Sequence, residues 1–122
     1  MIESKLLVDK FIDQIAIIAD QRKFVSALII PEYRLVEEYA REHNISFDGR
    51  EDLCANASIK AMMMERIDTL QQQLAHYEQV KRITLLPHHF SMEKGELTNT
   101  LKLKRKVIND NYKREIDEMY KE

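Results

Sequence analysis

Ile12-Asp-Gln-Ile-Ala-Ile-Ile-Ala-Asp20 and Phe24-Val-Ser-Ala-Leu-Ile-Ile30 are two short apolar runs joined by a polar link. Both are rich in β-branched residues, and the first alternates between an apolar and a mixed face, as a half-buried strand does. The second run ends at Pro31. The link is short enough for a hairpin. The pattern predicts an antiparallel pair of strands near residues 14–19 and 25–30.

Most of the residues around this pair of strands are predicted to form helices. The strongest periodic signal is an apolar stripe with 3-4 spacing over residues 58–78, formed by Ile59, Met63, Ile67, Leu70, Leu74 and Tyr77. Asn56 and Ser58 are candidate N-caps for this helix. Further helices are predicted over 2–9, 32–43 and 105–119, and a third strand over 82–86. The expected fold class is α+β: a small antiparallel sheet of about three strands plus a short hairpin, packed with helices.

Length and composition exclude several classes of protein. The 122 residues suit one domain, and 19 basic residues against 21 acidic ones give a net charge of −2, which argues against a nucleic-acid partner. One cysteine excludes an internal disulfide framework. No apolar run reaches the roughly 20 residues that cross a bilayer. We expect a cytoplasmic protein without a transmembrane segment, and a peripheral position at a membrane stays open.

The chain shows helical spacing from Ile2 onward. Two explanations are open: a short N-terminus, or a domain excised from a longer protein just before a helix.

Three groups of reactive side chains are better explained by structure than by chemistry. His88 and His89 are adjacent, and no third metal ligand stands near them in the sequence, so we expect no metal site. Cys54 has no clear activating base, and a lone cysteine is usually inert packing. Met62-Met-Met64 point in three directions on a helix, which suits core and helix surface.

A basic cluster near the C-terminus is the strongest candidate for function. Residues 100–122 hold seven basic and five acidic residues, and four of the basic ones lie within 102–106, at the start of a predicted helix. Positive charge is unfavourable there because the helix dipole is also positive at that end. This conflict indicates a nearby anion such as a phosphate, although a solvated charge run is the simpler explanation. A nucleic-acid partner is disfavoured because no aromatic platform accompanies the cluster.

The segment Phe90-Ser-Met-Glu-Lys-Gly-Glu-Leu-Thr-Asn-Thr-Leu-Lys-Leu-Lys-Arg-Lys106 resembles the final motif of AMP-forming long-chain fatty-acid–CoA ligases, in the adenylate-forming superfamily. That motif typically reads F-T-x-E-x-G-E-L-T-P-T-L-K-L-K-R-R. The first hairpin, with Ala27-Leu-Ile-Ile-Pro31, looks like the start of that family's C-terminal domain. Tyr77-Glu-Gln-Val-Lys-Arg-Ile83 looks like its F-E-x-I-K-x-F segment. The resemblance covers essentially the whole chain.

The resemblance implies that residues 1–122 are the mobile C-terminal lid domain of a larger ligase. Such a ligase uses ATP, Mg²⁺ and CoA to convert a fatty acid to its acyl-adenylate and then to acyl-CoA. Its N-terminal domain binds ATP and the acyl chain and would be the partner of this domain. The fragment alone is expected to be inactive and to hold no cofactor. Ligases for aryl or amino acids, and a non-enzymatic helical interaction module, remain alternatives.

The resemblance also assigns roles to individual residues. The family's adenylation lysine corresponds to Lys102. Lys104 and Arg105 correspond to supporting positions, where contact with a CoA or ATP phosphate, surface charge and pairing between domains are all open. Glu96, Thr98 and Thr100 are expected to shape the loop that presents Lys102. The family often has proline where this sequence has Asn99, so we expect this loop to be less rigid than one with proline.

Overall fold

The computed structural model describes residues 5–19 and 22–121 and contains a three-stranded sheet. The strands are β1 (Ile12–Ile18), β2 (Val25–Pro31) and β3 (Val80–Leu85), and β2 lies in the middle. β1 and β2 pair antiparallel as predicted, with Ile15 opposite Ile29.

Five α-helices lie wholly within the described residues and accompany the sheet. They are α1 (Tyr33–Glu42), α2 (Gly49–Ala55), α3 (Ala57–Leu70), α4 (Arg105–Asn111) and α5 (Lys113–Met119), with a short 3-10 turn at His76–Glu78. The N-cap of α3 is Asn56, whose Oδ1 accepts hydrogen bonds from the backbone N–H groups of Ser58 (2.9 Å) and Ile59 (3.2 Å). The α+β class, the three strands and the Asn56 cap are therefore confirmed.

The prediction that the sheet is wholly antiparallel is wrong, because β3 runs parallel to β2. The chain between these strands contains α1, α2 and α3, and such a crossover brings the chain back to start a new strand in the same direction. The sheet is therefore mixed. The expected additional hairpin corresponds to an isolated antiparallel bridge between Leu97 and Leu103.

The helix predicted over 58–78 ends at Leu70, eight residues early. The cause is Gln71, which is 1% exposed and pairs with the backbone of Val80. Its Oε1 accepts from the Val80 N–H at 2.7 Å, and its Nε2 donates to the Val80 carbonyl at 2.9 Å. This side-chain amide pairs with both backbone polar groups of Val80, the first residue of β3, and the chain leaves the helix at this point.

Two other predicted helices also differ from the structure. The helix over 105–119 is divided at Tyr112, whose backbone (φ −114°, ψ 26°) is not helical. The helix over 2–9 falls partly outside the described residues, and residues 7–11 form turns. In those turns Asp9 accepts from the N–H of Phe11 at 2.9 Å and from Arg66 Nε at 2.7 Å.

The core lies on both faces of the sheet, because every residue of β2 is buried. From one side α3 contributes Ile59, Met63 and Ile67, each at most 1% exposed. Burying one such side chain contributes about 1.5–3 kcal/mol. Within the described part of the chain, no helix is both long and apolar enough to span a membrane.

Candidate functional site

The segment that follows β3 is anchored to the sheet before it reaches the basic cluster. The Phe90 ring is buried, and the Phe90 N–H donates to Gln14 Oε1 on β1 at 2.9 Å. His89 Nε2 pairs with Asp13 Oδ2, also on β1. Two consecutive residues are thus held to one strand, which fixes where the loop begins.

A buried carboxylate organises the next part of the loop. Glu96 is fully buried, and its side chain accepts from the Ser91 N–H at 3.1 Å and from Asn111 Nδ2 on α4 at 3.2 Å. Its backbone carbonyl accepts from the Lys104 N–H at 2.8 Å. Buried polar groups persist when they are hydrogen-bonded in this way. Glu96 therefore joins the start of the loop, its end and the following helix.

Tyr112, between α4 and α5, lies next to Glu96 and Phe90 in this cluster. Its hydroxyl is buried and makes no hydrogen bond of good geometry with the described residues. Burial, and next the nearby Glu96 carboxylate, raise the pKa of the Tyr112 hydroxyl well above its usual value. The ring packs edge-on against Phe90, with 5.8 Å between centroids. The tyrosine stays neutral and acts as packing for the loop.

A narrow hairpin then presents Lys102. Beyond the Leu97–Leu103 bridge, the Thr98 N–H donates to the Lys102 carbonyl at 2.8 Å, and the Lys102 N–H donates to Thr98 Oγ1 at 3.0 Å. Thr98 Oγ1 also lies 3.0 Å from Thr100 Oγ1. Residues 99–101 form the tip of this hairpin. The backbone of Lys102 is fixed because both its N–H and its carbonyl are hydrogen-bonded to Thr98.

The tip contains an unusual backbone conformation. Leu101 has φ +64°, in the left-handed region, and its N–H donates to the Thr98 carbonyl at 2.9 Å. An L-residue with a side chain costs about 1–2 kcal/mol in this region relative to its usual conformations.

The Lys102 side chain itself is exposed. Its Nζ makes no ion pair or hydrogen bond with any residue in the ranges 5–19 and 22–121. A fixed backbone thus carries a free ammonium on a flexible stem, which can reach an anion brought to it from outside the domain.

The two neighbouring basic residues are placed differently. Lys104 is exposed and occupies the N-cap position of α4. Arg105 is exposed as well, but one guanidinium nitrogen donates to the Ile17 carbonyl on β1 at 3.2 Å. The basic cluster is therefore divided: Arg105 is tied to the sheet, whereas Lys102 and Lys104 face outward.

The other candidate side chains lie elsewhere. Cys54 on α2 is buried, and burial raises the pKa of its thiol to about 11, partly offset by the charge of Arg50. Met63 is in the core, with Met62 and Met64 packed at its margin. Among the described residues, no group of three His, Cys, Asp or Glu side chains could hold a metal ion.

Sequence reasoning missed Gln14 and Asn111, which hold the loop. Gln14 is 76 positions from its partner Phe90, and Asn111 is 15 from Glu96. No local pattern distinguishes either residue from an ordinary polar surface residue, so nothing in a single sequence identifies them.

Comparison with known proteins gives a family match and relatives that agree with each other. Over residues 1–122 the chain matches the family described as AMP-binding enzyme C-terminal domain. It is 34% identical to human long-chain-fatty-acid–CoA ligase 1 over 100 residues, covering 80% of this chain and 14% of that ligase. It is 30% identical to Arabidopsis thaliana long chain acyl-CoA synthetase 2 over 101 residues, covering 81% and 15%.

Solved structures share the fold. The adenylation domain of a Mycobacterium chelonae carboxylate reductase superimposes with a TM-score of 0.77 at 18% identity, covering 98% of this chain and 17% of that one. The A-PCP didomain of a Segniliparus rugosus carboxylic acid reductase, determined with AMP, gives 0.74 at 18%, covering 98% and 15%. The chain spans about 14–15% of the two ligases named above. The family match over its whole length shows that the chain belongs to the C-terminal domain family of AMP-binding enzymes.

Proposed function

We propose that this chain works as the C-terminal domain of an AMP-forming long-chain fatty-acid–CoA ligase, and that Lys102 is its adenylation lysine. The observation that carries the proposal is the exposed, unpaired ammonium of Lys102 on a hairpin whose backbone is fixed. The relatives named long-chain-fatty-acid–CoA ligase support the substrate class. We refer below to the longer polypeptide that joins this domain to an ATP-binding domain as the complete ligase.

The chemistry explains why a lysine serves in this position. A fatty carboxylate must attack the α-phosphate of ATP, and these two anions repel each other. Negative charge also accumulates on the phosphoryl oxygens in the transition state. An ammonium placed between carboxylate and phosphate offsets the repulsion and stabilises the developing charge. Lysine suits the task because its charge is compact and its stem is long.

The hairpin geometry supports this role. The hydrogen bonds of Thr98 hold the Lys102 backbone, and the buried Glu96 holds the base of the loop to α4. The backbone position of Lys102 within the domain is therefore defined before substrate arrives, which reduces the entropy lost when the reacting groups are brought together. Glu96, Thr98 and Thr100 act here as positioning residues.

Lys104 and Arg105 have supporting roles in this proposal. Lys104 faces solvent and is available to a phosphate of CoA or ATP. Arg105 contacts the Ile17 carbonyl and so helps to hold the start of α4 against β1. Mg²⁺ and the nucleotide would be bound by the ATP-binding domain. A cytoplasmic location, with peripheral membrane contact left open, stays a prediction.

One alternative keeps the same chemistry on another carboxylic acid. The likeness to carboxylate reductases is compatible with it, although at 18% identity this likeness concerns the fold alone. The helical interaction module has lost its main support, because the α3 stripe of Ile59, Met63 and Ile67 is buried against the sheet.

The test is single-turnover kinetics of each half-reaction with the complete ligase. Lys102→Ala should slow acyl-adenylate formation about 10²–10³-fold. Thioester formation from supplied acyl-adenylate should be largely spared, since no carboxylate then has to approach a phosphate. The 122-residue chain alone, mixed with ATP, Mg²⁺, CoA and palmitate, should release no AMP.

Lys104→Ala is the matched control, because it removes another exposed lysine two positions away. It should affect adenylation less than Lys102→Ala. Equal losses in both half-reactions, or a larger loss from Lys104→Ala, would show that the catalytic lysine is misplaced. AMP release by the isolated chain that disappears in Lys102→Ala would contradict the role as one domain of a larger enzyme.

A further inference from the structure

Leu101, at the tip of the hairpin, combines an unfavourable backbone with an exposed apolar side chain. Its φ is +64°, and the residue is 66% exposed. Four described residues have positive φ: Gly49, Gly95, Asn44 and Leu101. Glycine and asparagine tolerate this conformation, whereas leucine does not. Leu101 is thus the exception among them.

The hairpin type explains why this position has a left-handed backbone. Thr98 and Lys102 close a loop of three residues, 99–101. In three-residue hairpins the last loop residue takes the left-handed conformation, and glycine is the residue that suits it. A glycine at 101 would build the same hairpin without strain. The leucine side chain must therefore be explained by something other than the turn.

Contacts within this domain do not explain it either. The side chain of Leu101 is largely in solvent, and the residue lies outside the buried cluster and outside the partly buried apolar residues packed against that cluster. A single exposed apolar residue is ordinary on a protein surface, so exposure alone carries no inference. Strained backbone, however, clusters at active sites, ligand clamps and switch regions, and the strain at Leu101 therefore points to a contact made outside this domain.

We propose that Leu101 is a docking residue, which packs into an apolar depression of the ATP-binding domain when Lys102 reaches the α-phosphate. This inference rests on the proposed function. The partner is that domain because Leu101 adjoins Lys102, so whatever surface receives the lysine also meets the leucine. The named ligases extend far beyond the region they share with this chain, which covers 14–15% of them.

The contact would act in the adenylation pose only. Burying Leu101 in that pose stabilises it relative to the open domain and holds the Lys102 ammonium in place during phosphoryl attack. Lys102 provides the positive charge, and the packing of Leu101 holds that charge at the α-phosphate. The leucine is therefore a positioning residue, and its loss should lower the rate of one half-reaction and spare the other.

Comparing Leu101→Ala with Leu101→Gly in the complete ligase separates the effect of losing the side chain from the effect of relieving the backbone strain. Both remove the docking group, but only glycine also relieves the strain. Each should slow single-turnover acyl-adenylate formation about 10-fold, and neither should slow thioester formation from supplied acyl-adenylate. Leu101→Met, which restores apolar bulk, should recover most of the lost rate. In the 122-residue chain, Leu101→Gly should raise the folding equilibrium constant about 5-fold over wild type.

Met92→Ala is the matched control, since Met92 is also an exposed apolar residue (55%) but lies outside the hairpin. It should leave adenylation unchanged. Wild-type adenylation in both Leu101→Ala and Leu101→Gly, with Lys102→Ala slow, would overturn the docking role and leave the proposed function intact. Wild-type adenylation in Lys102→Ala as well would overturn both. Equal slowing of the two half-reactions by Leu101→Ala would also reject docking specific to adenylation.

Discussion

In the sheet and α3, large apolar side chains such as Ile67 and Ile83 are almost completely buried, whereas the loop that carries Lys102 is organised by hydrogen bonds around Glu96 and Thr98. The first region excludes water over a wide area, which is the main source of folding free energy. The second buries little apolar surface at its tip but fixes one backbone position. Most of the stability therefore comes from residues that do not place the lysine, whereas the buried Glu96 contributes to both.

The largest effect on stability should come from Ile67→Ala in α3. Ile67 is fully buried, so the truncation leaves a cavity, and we expect a loss of about 2–5 kcal/mol in the free energy of unfolding. Leu70→Ala, three residues on in the same helix, is the control: Leu70 is only half buried, so the loss should be smaller. Urea denaturation measures both. A loss from Leu70→Ala that equals or exceeds that from Ile67→Ala would mean that the helix faces the sheet differently.

The apolar surroundings of Cys54 should also appear in its chemistry. Burial raises the thiol pKa from its ordinary value near 9 to about 11, so at pH 8 the thiolate fraction should be about 100-fold lower than in an exposed cysteine. Because the pKa is higher in the folded state, folding is favoured below the pKa of the unfolded thiol. That contribution is lost as pH rises through about 11.

Alkylation by iodoacetamide, followed by mass spectrometry from pH 7 to 11, tests this expectation. The rate in the folded chain should stay far below that of the urea-unfolded chain until the pH approaches 11. Equal rates at pH 8 would show that Cys54 is accessible and ionised, and would require its exclusion as a nucleophile to be reconsidered.

The sequence predicted those parts of the fold that depend on short-range periodicity. The strand at β1 and the first part of the 3-4 stripe, Ile59, Met63 and Ile67 in α3, were confirmed. Burial along β1 does not alternate as predicted, because the neighbours Ile15 and Ala16 are both buried and β2 brings the core to both faces of the sheet. The stripe also stops early: Leu70 is only half buried, and Leu74 and Tyr77 lie beyond the helix, with Tyr77 81% exposed. The end of α3 could not be found this way, because it depends on Gln71 pairing with Val80, nine residues later. The direction of β3 was also missed, since strand direction follows from the path of the intervening helices and not from the strand itself.

The candidate site also consists of a part that local sequence predicts and a part that depends on distant residues. The basic cluster and Lys102 were visible in the sequence because they are contiguous. Their support was not, because Gln14 and Asn111 approach the loop from β1 and α4. The conformation of Leu101 also depends on hydrogen bonds across the hairpin, and its residue type argues against a left-handed backbone.

An intermediate effect is expected from Glu96→Gln at the base of the loop. The amide keeps the size of the side chain but places an NH₂ group where the carboxylate accepts from the Ser91 N–H and Asn111 Nδ2. One buried donor then loses its acceptor, at a cost of about 1–3 kcal/mol. Hydrogen exchange at the Thr98 and Lys104 amides should accelerate as well, because both belong to the loop that Glu96 fixes.

Glu93→Gln is the matched control for Glu96→Gln. Glu93 is an exposed carboxylate in the same segment, so its amide should change the unfolding free energy by less than about 0.5 kcal/mol. If Glu96→Gln has no more effect than Glu93→Gln on stability and on amide exchange, the buried carboxylate does not organise the loop.

The smallest effect on stability should come from the residue with the largest proposed effect on catalysis. Lys102 contributes its N–H and carbonyl to the hairpin, and Lys102→Ala keeps both of these backbone bonds. Its ammonium makes no hydrogen bond or ion pair with another described residue, so removing it should change the unfolding free energy of the 122-residue chain by less than about 0.5 kcal/mol. The urea midpoint and the slope of the transition should both match wild type. A loss above about 1 kcal/mol would show that the ammonium already has a partner inside this domain. A group so engaged would have to break that contact before reaching a phosphate, whereas an ammonium in water stays available to charge that develops outside the domain.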